Sequence, residues 1–349
     1  MLFILWTYGF YPFVIRFLSR RYGKPVHKGE VSQKISIIIP TYNEAESIEK
    51  KIKNTLELEY PGLLEIFVVD SNSSDNTVQI AKSFKDVTVI SEQERLGKTH
   101  ALNRVLQETT GEIVVITDAN CFSMDKTLLI QIAQNFFDQS IGAVTVPMQY
   151  DSSTLETDSA FWKRERTLWS YESILDSIPS GIGEYLAFRR SLVGQLHPKC
   201  LADDMDITIQ VRKKGYRVVS EPSVPIYEAI PPQLGGFASQ KIRRNVNVMC
   251  TMFNHKSIIF NPRYGWYGFV ILPTRKLFPV LVPFIGFLSL FSLFFLNFYL
   301  FAMAILALFV LFFVSSSIRS FLTSQIIIVT AWYRYLFKRY DVAWKKIKR

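Results

Sequence analysis

Between Lys276 and Arg319 the chain carries no charged residue, and two nearly unbroken apolar runs, Leu277–Leu296 and Phe298–Val314, are split by Asn297. This stretch restricts the fold more than any other. A backbone that leaves water must pair its own N–H and C=O groups, so lipid-spanning chain is helical or closes into a barrel. A helix of ~20 residues crosses the hydrocarbon layer, and each run is long enough to do so. Phe321–Phe337 is a third candidate, but it holds Gln325, Arg334 and several aromatics and reads as interfacial or re-entrant. Ile258–Arg275, with Pro262, Arg263 and Trp266, reads as a segment lying along a membrane surface. The expected division is an interfacial segment at 258–276, C-terminal membrane helices over 277–337 and a basic cytoplasmic tail at 338–349.

The other end is apolar too. Met1–Ile15 lacks the charged start and small-residue cleavage site of a signal peptide. Residues 1–18 therefore read as a short, uncleaved N-terminal membrane anchor. The net charge of the 349-residue chain is +10. No stretch alternates bases with aromatics in a nucleic-acid-binding pattern, so no nucleic acid is expected as a partner. The basic residues flank the apolar segments instead. Arg16, Arg20, Arg21, Lys24 and Lys28 follow the first, and Lys338, Arg339, Lys345, Lys346, Lys348 and Arg349 follow the last. Such flanks stay inside. This predicts a multi-pass cell-membrane protein whose polar domain faces the cytoplasm. Three widely spaced cysteines, Cys121, Cys200 and Cys250, form no CxxC and no Cys/His cluster along the sequence. Neither a disulfide framework nor a zinc site is expected.

Between residues 33 and 255 the pattern is that of a soluble domain. Short apolar runs (Ile35–Ile39, Glu65–Asp70, Val87–Ile90, Glu112–Asp118) alternate with segments of helical spacing (Ala45–Leu58, Thr77–Phe84, Lys98–Glu108). Strands alternating with helices predict βαβ units and a parallel sheet, an α/β Rossmann-like fold with flanking helices. Further on, Ile141–Pro147 and Tyr216–Val219 read as strands, and Ser159–Leu175 and Asp204–Lys214 as helices. Polar residues collect where the first strands end: Thr41, Asn43 and Glu44, then Asp70, then Asp118. Ligands of open α/β sheets bind at that edge.

Four groups carry candidate chemistry. Asp118-Ala-Asn120 ends a strand; it is either an ordinary Asp/Asn turn or a divalent-cation site completed by substrate phosphates. Asp203-Asp204-Met-Asp206 opens a helix. One acid suffices for an N-cap. Three acids repel one another, which points to one poised as a general base. Gln240-Lys-Ile-Arg243-Arg244 is either a solvated helix face or a clamp on a diphosphate, since arginine pairs bidentately with phosphate. Arg95-Leu-Gly97-Lys98 opens a helix where a phosphate could sit, although it lacks the glycine spacing of a P-loop. His100, His197 and His255 are isolated and read as structural.

Taken in order, Pro40-Thr41-Tyr-Asn43-Glu44, Asp70-Ser-Asn-Ser-Ser-Asp75, Gly97-Lys98-Thr-His-Ala-Leu-Asn103, Asp118-Ala-Asn120, Asp203-Asp204 and Gln240-x-x-Arg243-Arg244 resemble the family 2 inverting glycosyltransferases. The likeness is strongest to the membrane branch with cellulose, chitin and hyaluronan synthases, and it covers Ser36 to Asn245. It implies a GT-A fold. It implies that Pro40, Thr41, Asn43, Glu44 and Asp70 line a nucleoside pocket and that Lys98 lies near the diphosphate. Asp118, with Asn120, would hold a divalent cation, Mg2+ or Mn2+. Asp204 would be the catalytic base beside Asp203. Gln240, Arg243 and Arg244 would hold the diphosphate and border the acceptor. Separately, Ser180-Gly181-Ile182-Gly183-Glu184 reads as a loop near the acceptor. Three positions depart from the family pattern: Asn120 replaces a second Asp, Ser71 an acid paired with Asp70, and Arg244 a Trp.

The expected function is transfer of a sugar from a nucleoside-diphosphate donor, a UDP-sugar, to a hydroxyl of a saccharide or lipid acceptor, in polysaccharide or exopolysaccharide synthesis. The alternatives are a lipid or polyprenyl-phosphate glycosyltransferase and an inactive sugar-nucleotide-binding membrane scaffold.

Overall fold

A computed structural model describes residues 2–148, 156–198, 200–224, 226–228 and 234–339. The expected basic tail beyond Arg339 lies outside the described residues. The β-branched run Ile35–Thr41 forms β1 and is buried along nearly its whole length. A strand apolar on both faces belongs in mid-sheet, under helices on both sides. β1 pairs in parallel with β2 (Leu64–Asp70), and β3 (Thr88–Ser91) extends the sheet beyond β2 in parallel. On the other side β1 pairs in parallel with β4 (Ile113–Ile116). A three-residue strand, β5 (Cys121–Ser123), follows. Then come β6 (Ile141–Thr145), β7 (Leu186–Arg189) and β8 (Arg217–Ser220). β7 runs antiparallel between β4 and β6, and β8 closes the sheet parallel to β6. The order is β3-β2-β1-β4-β7-β6-β8. β9 (Ile226–Glu228) pairs antiparallel with β5 in a second, two-stranded sheet.

The expected mostly parallel α/β sheet is present. Alternate residues of β1 divide its two cores, as the strand period of two requires. Ile35, Ile37 and Ile39 pack with Ile48 and Ile52 of helix Ile48–Leu56 and with Leu128 and Ile132 of helix Leu128–Gln134. Ile38 faces Leu102 and Val105 of helix Lys98–Glu108 and shares its core with Ile207 and Val211 of helix Asp203–Lys213.

The N-terminal segment is helical over residues 2–22. Tyr11 and Ile15 are buried against Leu168 and Leu175 of helix Glu156–Leu175 and against Ile271. Phe10, Phe13 and Phe17 remain exposed on it. Among the described residues one helix, Tyr267–Leu296, is by itself long and apolar enough to cross a bilayer. It begins ten residues before the apolar run, because Tyr267–Ile271 and Pro273–Leu277 wind into wide turns that continue into Phe278–Leu296. Proline at the first position of a turn needs no N–H partner, so Pro273 does not interrupt it. Phe298–Val314 and Ile318–Leu336 form a sharply bent pair that meets the same criterion only when taken together. Helix Leu234–Asn254 packs Val246, Met249 and Met252 against Tyr267, Val280 and Ile328, which joins the domain to these apolar helices.

Candidate active site

β1, β2 and β4 run in parallel, so their ends open on one edge. There a cleft of about 600 Å³ is lined by residues from segments far apart in the sequence. Pro40, Thr41 and Glu44 come from the end of β1, and Lys98 from the start of its helix. Asp118 and Asn120 follow β4, Gly183 and Glu184 precede β7, and Asp203 and Asp204 open their helix. Gln240, Arg243 and Arg244 come from helix Leu234–Asn254.

Gly97 places Lys98. Its φ of 94° lies in the left-handed region, where glycine carries no steric cost. The chain turns there and Lys98 becomes the first helical residue. Its Nζ donates to Asp118 Oδ1 at 2.9 Å and lies 3.3 Å from Asp203 Oδ2. One ammonium thus bridges the two acidic motifs, 85 positions apart in the sequence. Burial alone would lower this lysine; Asp118 and Asp203 outweigh it and hold the ammonium well above the ordinary lysine range. A Cβ at Gly183 would lie 3.2 Å from the same Nζ, so the loop before β7 presses closely on it.

Asp204 has different surroundings. Burial, and then the neighbouring Asp203, push its carboxyl up from 3.8 to about 6. Its Oδ1 accepts the Met205 N–H at 2.7 Å. At neutral pH it is ionised but far more basic than an ordinary aspartate, as proton abstraction from a hydroxyl requires. Across the cleft Arg244 lies 3.9 Å from Glu184.

Asn43 and Asp70 do not line the cleft. Asp70 is buried and accepts from Thr41 Oγ1 at 3.2 Å and from the Ser73 N–H at 2.8 Å. Asn43, at φ 54°, takes the left-handed conformation that asparagine tolerates, and its Oδ1 accepts the Ser74 N–H at 2.8 Å. These two residues brace the loops behind the cleft, while Ser71 lines it. Sequence reasoning also missed several lining residues, Tyr42, Glu165, Trp169 and Lys276 among them. Tyr42 lies under the Arg95 guanidinium at 3.7 Å. Glu165, Trp169 and Lys276 arrive from distant helices, and no local pattern marks them. The half-buried Asp118 offers a carboxylate and the buried Asn120 an amide carbonyl in one turn. With diphosphate oxygens completing the shell, that oxygen-only donor set fits Mg2+ or Mn2+.

A Rossmann-like sheet with acids, a lysine at a helix start and an arginine pair at its carboxyl edge matches the GT-A fold. Residues 36–196 match the model of the family described as Glycosyl transferase family 2. It is similar to poly-β-1,6-N-acetyl-D-glucosamine synthase of Staphylococcus aureus, with 26% identity over 226 residues, 60% of this chain and 53% of that protein. The chain thus spans about half the length of the curated relatives it matches. Among solved structures it is similar to the mannosyltransferase PcManGT of Pyrobaculum calidifontis, solved in complex with GDP-Man and Mn2+. That likeness has 26% identity and a TM-score of 0.77, over 97% of this chain and 98% of the other.

Proposed function

We propose that the protein is a membrane-bound inverting glycosyltransferase that moves a sugar from a nucleoside-diphosphate donor to an acceptor hydroxyl. One observation carries the reading: Lys98 draws Asp118 and Asp203 together in the cleft that holds Asp204. Asp204 takes the proton of the acceptor hydroxyl as its oxygen attacks the sugar carbon. Lys98, Arg243 and Arg244 bind the diphosphate and neutralise the charge that develops as it leaves. Asp118 and Asn120 would hold a divalent cation, which supplies further charge to the departing diphosphate. Gly183 and Glu184 border the acceptor.

The membrane setting is supported by the long helix Tyr267–Leu296 and by the exposed Phe287, Phe291, Phe295, Leu306, Phe309 and Phe313. Contiguous apolar surface of this kind is covered in a native setting. The basic flanks favour a cytoplasmic catalytic domain. A UDP-sugar and a polysaccharide product follow from the sequence resemblance and from the name of the staphylococcal relative. A GDP-sugar donor is the second reading, favoured by the GDP-Man complex of the Pyrobaculum enzyme, which matches almost the whole of both chains.

Membranes containing the protein, incubated with radiolabelled UDP-glucose, UDP-N-acetylglucosamine or GDP-mannose and Mn2+ or Mg2+, test this. A UDP-sugar is expected to label a product, and a ladder on sizing marks a polymer. Labelling from GDP-mannose alone replaces the donor assignment. Tight donor binding without transfer from any donor overturns the enzyme reading in favour of a scaffold.

A further inference from the structure

Away from the cleft, three metal-ligating side chains from three segments meet in the interior. Cys200 lies in the loop before helix Asp203–Lys213, Asp206 in its first turn, and His255 directly after helix Leu234–Asn254. Their donor atoms all lie within 4.8 Å of one another. His255 Nε2 is 2.5 Å from Asp206 Oδ1 and 3.8 Å from Cys200 Sγ. Cys200 and Asp206 are fully buried, and the His255 side chain is 15% exposed.

We propose that Cys200, Asp206 and His255 supply three ligands, with water as the fourth, to a site for a thiophilic divalent cation such as zinc, distinct from the oxygen-lined Asp118 site. The distances fit. Tetrahedral zinc with Zn–S near 2.3 Å and Zn–N and Zn–O near 2.0 Å sets sulfur and nitrogen about 3.6 Å apart and nitrogen and oxygen about 3.3 Å apart. The first separation already holds, and the second needs less than about 1 Å of opening. Thiolate, carboxylate and neutral imidazole balance a dipositive ion, so no net charge is left buried. The ligands also have the outer partners that orient such groups. Asp206 Oδ2 accepts from the His197 N–H at 3.1 Å and from Gln210 Nε2 at 3.3 Å. Lys213 Nζ lies 2.9 Å from His255 Nδ1. Ligation at Nε2 shifts the ring proton to Nδ1, and the exposed Lys213 then swings away into water.

The ion would staple the helix that opens with Asp203 and Asp204 to the far end of the helix that bears Gln240, Arg243 and Arg244. Base and diphosphate clamp would then keep a fixed separation. The site stands whichever donor the cleft takes.

The full chain, purified in detergent without chelator and washed with Mg2+, is to be analysed for bound metal beside Cys200→Ser and His255→Gln. About one zinc per chain is expected, lost in both variants while nucleotide binding at the cleft persists. Cobalt loaded in place of zinc is expected to show a thiolate charge-transfer band that Cys200→Ser lacks. If a variant fails to fold, the cobalt spectrum of the unaltered protein decides. Absence of both retained zinc and the cobalt band, or persistence of either in the variants, overturns the site and leaves a buried Asp–His pair beside a thiol.

Discussion

Asp204→Asn is expected to abolish transfer and yet make the ligand-free protein more stable. The wild-type carboxyl is held at about 6 rather than 3.8. At about 1.4 kcal/mol per pH unit, its ionised form costs about 3 kcal/mol more in the fold than in water. Removing the charge of Asp204 lifts both its burial cost and the repulsion from Asp203, and is expected to recover up to about 3 kcal/mol. Asparagine keeps the shape and the oxygen that accepts the Met205 N–H. The pH dependence follows from the direction of the shift. Below 3.8 the group is protonated whether folded or unfolded and costs nothing. Between 3.8 and about 6 the unfolded chain ionises first, and the penalty on folding grows. Above about 6 it is complete. Thermal unfolding in one detergent is therefore expected to show Asp204→Asn melting about 2–6 °C above the parent at pH 7.5, with a smaller gain at pH 5. Transfer, followed with the radiolabelled donor, is expected to fall about 10²–10⁴-fold while donor binding persists. In the parent it is expected to decline about tenfold per unit below about pH 6. A lower melting point at pH 7.5, an equal gain at both pH values, or transfer within about tenfold of the parent would refute the reasoning.

Two further substitutions probe other parts. Lys98→Met leaves Asp118 and Asp203 facing each other without their shared ammonium; donor affinity by calorimetry with Mn2+ present is expected to weaken about 10–100-fold, as loss of a charged hydrogen bond costs about 1.5–3 kcal/mol. Tyr11→Phe removes the hydroxyl that donates to the buried Glu172 at 2.6 Å; thermal unfolding is expected to report a loss of about 1–3 kcal/mol, with the donor KM unchanged.

The centre of the fold was legible because β1, β2 and β4 are continuous apolar runs and helix Lys98–Glu108 has clear helical spacing. The short antiparallel strands were not. Cys121–Ser123, Leu186–Arg189 and Ile226–Glu228 have three or four residues, too few to show a period, and their pairing is set by distant partners. The acids, Lys98 and the Gln240 to Arg244 motif declared themselves through residue type and order, and they do line one cleft. Asn43 and Asp70 share that edge in sequence but turn inward to brace loops, a difference only tertiary hydrogen bonding decides. Lys276 and Glu165 reach the cleft from helices whose local pattern speaks of burial or membrane. The Cys200, Asp206 and His255 group was invisible for the same reason, since His255 follows Asp206 by 49 positions.

The helix Tyr267–Leu296 also acts as a depth gauge. Its first residue is seated in the domain, where the Tyr267 N–H donates to Asp176 at 3.0 Å and its hydroxyl to Pro179 O at 3.2 Å. Farther along, Trp332 Nε1 donates to Val280 O at 2.8 Å and pins the same rod to its neighbour. Lys276 lines the cleft, and the uncharged stretch starts at the very next residue. With a rise of about 1.5 Å per residue, Lys276 and the first exposed phenylalanine beyond it, Phe284, are about two helical turns apart. In the proposed membrane setting the length of that buried stretch sets how far the cleft stands from the exposed apolar surface.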